Sequence, residues 1–118
     1  MLNGIIGKKT VYIVTGYTDM RKGIDGLAAI VQGKLLLDPY SKALFLFCGK
    51  NPHKLKGLLW EGDGFLLLSK RLENGKYRWP RNEYEALELS EQQLRWLLEG
   101  LGIEQKKAIK PGKQGTLY

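Results

Sequence analysis

The stretch from residue 50 to residue 81, KNPHKLKGLLWEGDGFLLLSKRLENGKYRWPR, decides the fold. It interleaves apolar and aromatic residues with cations around two turn signals, Asp63-Gly64 and Asn74-Gly75. Such dipeptides readily adopt the positive φ angles that tight hairpin connections need. The pattern therefore predicts a β-meander. Its three predicted strands are residues 54–60, 65–72 and 76–79.

Positive charge is concentrated in this meander, which carries eight cations and three carboxylates for a net charge of +5. In the third predicted strand Lys76 and Arg78 alternate with Tyr77 and Trp79, and side chains two apart share one face of a strand. A face of clustered cations is typical of phosphate-binding surfaces. The same pattern also fits an edge strand whose cations prevent unwanted pairing. The residues alone leave both interpretations open.

The composition narrows the class of protein. The chain has 118 residues and a formal net charge of +7, which fits one domain and favours an anionic partner. With one cysteine, Cys48, and one histidine, His53, we expect neither an internal disulfide nor a zinc or Cys/His site. No apolar run approaches the roughly 20 residues of a membrane helix, and no signal-peptide pattern begins the chain. We therefore expect a cytoplasmic protein with no membrane partner.

The segments on either side of the meander supply the remaining elements. Apolar residues recur at helical spacing from Ile24 to Leu35. Ser90 and Gln93 form a capping-box pattern at the start of a second helix. Residues 81–89 are acidic and are expected to be irregular. The other predicted elements are strands at 9–15 and 43–47 and a helix at 91–99.

These elements predict an α+β fold. We expect a single domain over residues 1–103, in which a mainly antiparallel sheet of four to five strands packs against two helices. Residues 104–118 carry four lysines and one glutamate, a net charge of +3. With glycine and proline scattered through them, they are expected to form a flexible basic tail.

Carboxylates offer one route to catalysis. Asp19, Asp25 and Asp63 are candidates for a two-metal nuclease site, although each also fits an ordinary role as a helix cap or turn residue. Residues 23–26 lack the Gly-Lys-Ser/Thr ending of a phosphate loop. We therefore expect no catalytic residue, metal, cofactor or small-molecule substrate, and keep a metal-dependent nuclease as an alternative.

The chain closely resembles the TnpB accessory proteins encoded by the sixty-six family of bacterial insertion sequences. The resemblance depends on the order of several motifs rather than on any one of them. The sequence departs from the commoner family pattern at residues 48–53, CGKNPH, where relatives usually carry an arginine-rich loop. The motifs are TDMRKGIDGL at 18–27, DP at 38–39 with LFLF at 44–47, KLKGLLWEGDGF at 54–65, KRLENGKYRWP at 70–80 and the helix at 94–101.

The resemblance implies a non-catalytic accessory factor of bacterial DNA transposition that works beside a separate DDE-type transposase. We expect the cationic meander to bind DNA at the element ends with weak sequence preference, or to bridge DNA and transposase. The alternative is a docking module for the transposase that uses Trp60 and Trp79 and does not bind DNA directly. Charge placement predicts these DNA contacts: Lys54, Lys56, Lys70, Arg71, Lys76, Arg78, Arg81, Arg21 and Lys22.

Overall fold

Five strands form one sheet in the computed structural model, which describes residues 9–105. They are β1 (Val11–Val14), β2 (Leu44–Cys48), β3 (Lys54–Trp60), β4 (Phe65–Arg71) and β5 (Ala86–Leu89). Their order across the sheet is β4-β3-β2-β1-β5. β1 and β2 run parallel, and the other neighbours run antiparallel. The expected α+β fold with a mainly antiparallel sheet is confirmed.

One helix covers each face of the sheet. Helix α1 (Ile24–Ala29) continues into a turn of π-helix at Ile30–Lys34, and its buried side chains pack on one face around Phe45. Helix α2 (Glu91–Leu98) packs on the opposite face through Leu94 and Leu97. The predicted capping box at the start of α2 is present. No helix among residues 9–105 has the length and hydropathy to span a bilayer.

The centre of the sheet is β2, whose five residues are all buried. It is apolar throughout because α1 covers one of its faces, and α2 together with Tyr77 and Trp79 covers the other. Leu44, Leu46 and Cys48 contribute to the core under α2, while Phe45 and Phe47 contribute to the core under α1. The prediction of a central strand buried on both faces is confirmed.

The third predicted meander strand, at 76–79, is wrong. Residues 72–85 carry no strand, because they run from the β4 edge of the sheet to the opposite edge, where β5 pairs with β1. Tyr77 and Trp79 nevertheless point into the core, as their alternation indicated. The expectation that 81–89 is irregular is also wrong for β5, in which Leu89 is buried beside an exposed Glu88.

Candidate nucleic-acid interface

The pairing of β3 with β4 decides which cations share a face. Lys54 lies opposite Arg71, and both side chains are on the α1 side of the sheet with Lys56 because residues two apart share a face. Lys70 lies opposite Leu55, which belongs to the core under α2. The cations of the predicted meander therefore lie on both faces of the sheet.

Three cations share the α1 side at the start of β3, and the backbone of a fourth, Lys22, meets them. The Lys56 ammonium donates a hydrogen bond of 2.9 Å to the Lys22 carbonyl oxygen, which joins β3 to the loop before α1. Within residues 9–105, one carboxylate pairs with this group: Glu73 lies 3.0 Å from the Arg71 guanidinium. The group keeps an excess of positive charge. We call it the basic corner, and its members are Lys22, Lys54, Lys56 and Arg71.

The basic corner holds like charges at close range. Directly opposed residues of an antiparallel pair have Cβ atoms about 4.5–5.5 Å apart, and like charges there destabilise the sheet by a few tenths of a kcal/mol. Lys54 and Arg71 are such a pair, and Lys56 lies two residues from Lys54 on the same face. An anionic ligand would relieve this repulsion. The arrangement suits a row of phosphate groups.

Arg21 lies beside this group, but its charge is already paired. Its guanidinium donates to both carboxylate oxygens of Asp19, with the shortest contact at 2.7 Å. This hydrogen bonding holds the pKa of the Asp19 carboxyl well below its usual value. Arg21 is 91% exposed, so it remains accessible, although Asp19 offsets its charge.

Three exposed cations lie on the other side of the sheet. Tyr77 and Trp79 are 2% and 5% exposed and face the core under α2, so Lys76 and Arg78, which alternate with them, face solvent. Lys70 is exposed on the same side of the sheet, because it lies opposite Leu55. We call the three the outer cations, and they are Lys70, Lys76 and Arg78.

Arg81 ties three loops together. Its guanidinium donates to the carbonyl oxygens of Gly16 at 2.9 Å and Gly49 at 2.8 Å, with a longer contact of 3.4 Å to that of Lys50. These carbonyls follow the ends of β1 and β2, so the arginine fixes the two strand ends relative to the segment after Pro80. The geometry gives Arg81 a structural role, while its contact with DNA stays a prediction.

The two tryptophans predicted to dock a partner lie in different surroundings. Trp79 is 5% exposed and its indole N–H donates to the Val14 carbonyl at 2.8 Å, so it belongs to the core. Trp60 is partly exposed and packs with Tyr40 and Phe65, at centroid separations of 5.0 and 4.9 Å. We call Tyr40, Trp60 and Phe65 the aromatic corner.

Sequence reasoning missed two members of the aromatic corner. Phe65 lies directly opposite Trp60 in the β3–β4 pair, and the hairpin signal before it was sufficient to place it there. Tyr40 comes from the turn before β2, where the Asp38 carboxylate accepts a hydrogen bond from its backbone N–H. It is 55% exposed, and no local sequence signal links it to the hairpin.

The groups considered for catalysis are separate. Among residues 9–105, no three His, Cys, Asp or Glu side chains come together in a way that could hold a metal ion. Cys48 is buried, and burial raises the pKa of its thiol to about 11, so the thiol is neutral near pH 7. The lysines of the tail beyond residue 105 lie outside the described residues.

The family model for the IS66 Orf2 like proteins, TnpB_IS66, matches residues 9–108. This match covers the whole described sheet and both helices. The chain belongs to this family. Membership implies an accessory role in the transposition of an insertion sequence, and the resemblance drawn from the ordered motifs is confirmed.

Two curated relatives come from Sinorhizobium fredii. The chain is 43% identical over 91 residues to "Uncharacterized protein y4hO", which covers 77% of this chain and 79% of the relative. It is 36% identical over 106 residues to "Uncharacterized protein y4jC", which covers 90% of each. No solved structure matches the chain.

Proposed function

We propose that this protein binds the DNA of an insertion element through the basic corner and presents that DNA to the element's transposase. The accessory role comes from the family, and the DNA contact is supported by the charge arrangement. The observation that carries it is the direct opposition of Lys54 and Arg71, a like-charge pair that the exposed Glu73 offsets only in part and that phosphate binding would favour.

The chemistry of the basic corner favours affinity over sequence reading. Three of its four members are lysines, which act as point charges toward phosphate rather than as bidentate readers of base edges. Phosphate contacts fix position and orientation on a duplex and carry no direct sequence information. We expect similar affinity for a duplex with the element's terminal sequence and for a scrambled duplex.

Two charge-neutralised variants test the assignment by fluorescence anisotropy with a labelled duplex at low salt. The first replaces Lys22, Lys54, Lys56 and Arg71 by Gln. The matched control replaces the three outer cations by Gln, which removes similar charge from the opposite face. We expect the first variant to lose at least tenfold in affinity and the control to change by less than about threefold, since surface charge away from contacted phosphates contributes mainly long-range attraction.

A larger loss of affinity in the control variant would assign the DNA contact to the outer cations, which the sequence also predicts as DNA contacts. Equal losses in the two variants would show that net charge, rather than the basic corner, drives binding. No binding by the unaltered protein would refute the DNA proposal altogether.

A second candidate function is direct docking on the transposase, and the aromatic corner favours it. Tyr40 is 55% exposed while its ring stays packed against Trp60 and Phe65. Exposed, preordered aromatic side chains are common anchors of protein interfaces because they bury a large area at small entropic cost.

Binding to the purified transposase by interferometry tests this candidate. We expect Tyr40→Ala to weaken it at least tenfold, at both low and high salt, because the contact is apolar. Tyr17→Ala is the matched control, since Tyr17 is similarly exposed at 58% and lies outside the aromatic corner. Equal effects of the two substitutions would exclude the aromatic corner as the anchor.

A further inference from the structure

On one side the sheet ends in a long strand, β4, whose outer edge no other strand of residues 9–105 covers. Among residues 9–105, β4 pairs only with β3, and it has seven residues, of which the first five, FLLLS, carry no charge. At the opposite edge β5 is four residues long and contains Glu88. Natural proteins shorten or charge their edge strands to prevent pairing with another chain. β5 follows that rule, whereas β4 does not over most of its length.

Two hydrogen bonds show which backbone groups of β4 face outward. Glu61 N–H donates to the Gly64 carbonyl at 2.9 Å, and Leu72 N–H donates to the His53 carbonyl at 2.7 Å. Both fit the register of β3 with β4. Hydrogen-bonded and non-bonded pairs alternate along an antiparallel ladder, so the even-numbered residues of β4 bond to β3. The odd-numbered ones direct their N–H and C=O groups to the open edge, and they are Phe65, Leu67, Ser69 and Arg71.

We propose that β4 pairs with β4 of a second copy of this chain in an antiparallel arrangement about a twofold axis at Leu67. Leu67 then lies opposite its own counterpart, and Leu66 opposite Leu68 of the second copy. These leucines are partly exposed in the single chain, and the pairing covers them. The closed symmetry uses the β4 edges of both copies, and the combined sheet then ends at the short, charged β5 strands.

Charge complementarity selects both this occupant and this register. The axis at Leu67 sets Asp63, in the turn before β4, level with Arg71 of the second copy on each side of the pair, where Asp63 would share the Arg71 guanidinium with Glu73. Asp63 is exposed and forms no ion pair within residues 9–105. Moving the axis by one residue, to Leu68, sets Asp63 opposite Glu73 of the second copy, and like charges in that position are unfavourable.

The pairing extends the sheet to ten strands and sets the two basic corners on the same side, since directly opposed residues of an antiparallel pair share a face. The Arg71 residues of the two copies are offset by eight residues, or about 27 Å, along the strands. The dimer follows from the edge and its charges and does not depend on DNA binding.

Sedimentation equilibrium of the full chain without DNA tests the proposal. We expect a reversible dimer of twice the 13.4 kDa chain mass. Ser69→Pro removes one outward N–H without disturbing the bonds to β3, a position where edge strands tolerate proline. It should raise the dimer Kd at least tenfold, whereas Ser69→Ala, which keeps that N–H, should leave it unchanged.

A charge exchange tests the register and does not rely on Ser69→Pro folding. Asp63→Arg and Arg71→Asp alone each create two like-charge contacts and should weaken the dimer, while the double variant should restore it to within about threefold. Circular dichroism checks that each variant is folded. A protein that stays monomeric at every concentration, or a dimer that neither Ser69→Pro nor the single charge reversals weaken, would overturn the proposal.

Discussion

Removing one charge from the basic corner should stabilise the fold while it weakens DNA binding. Lys54 and Arg71 oppose each other across β3 and β4, so Lys54→Gln relieves repulsion in the free protein. The same substitution removes a proposed phosphate contact. Opposite effects on stability and binding are expected of a residue kept for its ligand rather than for the fold.

The magnitude follows from the spacing of the two charges. For a separation of ~6 Å, close to the Cβ spacing of directly opposed residues, two unit charges in water repel by at most about 0.7 kcal/mol, and Glu73, 3.0 Å from the Arg71 guanidinium, lowers this value. Screening leaves about 0.6 kcal/mol of this at ~10 mM salt, where the Debye length is about 30 Å, and about 0.1 kcal/mol at ~1 M, where it is about 3 Å. For a domain of this size, 0.6 kcal/mol raises the melting temperature by about 2–5 °C.

Thermal unfolding followed by circular dichroism at both salt concentrations measures this effect. We expect the melting temperature of Lys54→Gln to exceed that of the unaltered protein at low salt and to match it within about 1 °C at ~1 M salt. Lys70→Gln is the control, because Lys70 lies opposite Leu55 and faces no cation across the strands. A lower melting temperature for Lys54→Gln, or a gain that persists at high salt, would refute the reasoning.

Three further predictions concern the core and the second helix. The Cys48 thiol should resist Ellman's reagent until the protein unfolds, and since burial raises its pKa from 9.0 to about 11, stability should decline as pH rises between these values. Ser90→Ala should cost about 1 kcal/mol in urea denaturation, because the Ser90 hydroxyl accepts from the Gln93 N–H at 3.1 Å. Gly57→Ala should cost about 1–3 kcal/mol by the same assay, since the added Cβ would lie 3.1 Å from a Leu46 methyl.

Local patterns were sufficient for most of the fold. Strand β3 begins and ends where the hairpin signal places it, because Glu61 to Gly64 closes the turn with a hydrogen bond and a positive φ of 95° at Gly62. The segment that forms β2 is apolar at every position, so it can be buried on both faces of the sheet. In both cases, the information lies within a few neighbouring residues.

The errors came from long-range pairing. Asn74-Gly75 is a strong turn signal, and Gly75 does adopt a positive φ of 95°. The chain after it leaves the β4 edge, because β5 pairs with β1 instead. Nothing near Asn74 encodes that choice, which depends on how well Leu87 and Leu89 pack under α2.

The site was only partly predictable for the same reason. The sequence identified every member of the basic corner as a cation of interest, but their grouping depends on the register of β3 with β4 and on the contact from Lys56 to the Lys22 carbonyl. Arg81 shows the converse case, because its carbonyl partners at Gly16 and Gly49 lie far from it in sequence. Charge alone does not distinguish a ligand-binding arginine from one that fixes loops.

The salt dependence of DNA binding tests the central claim most directly. If the four cations of the basic corner each neutralise one phosphate, log K should fall against log salt with a slope of about −3.6. Replacing Lys54 and Arg71 together by Gln should bring the slope to about −1.8. A slope near zero, or one that the double substitution leaves unchanged, would contradict the assignment of phosphate binding to the basic corner.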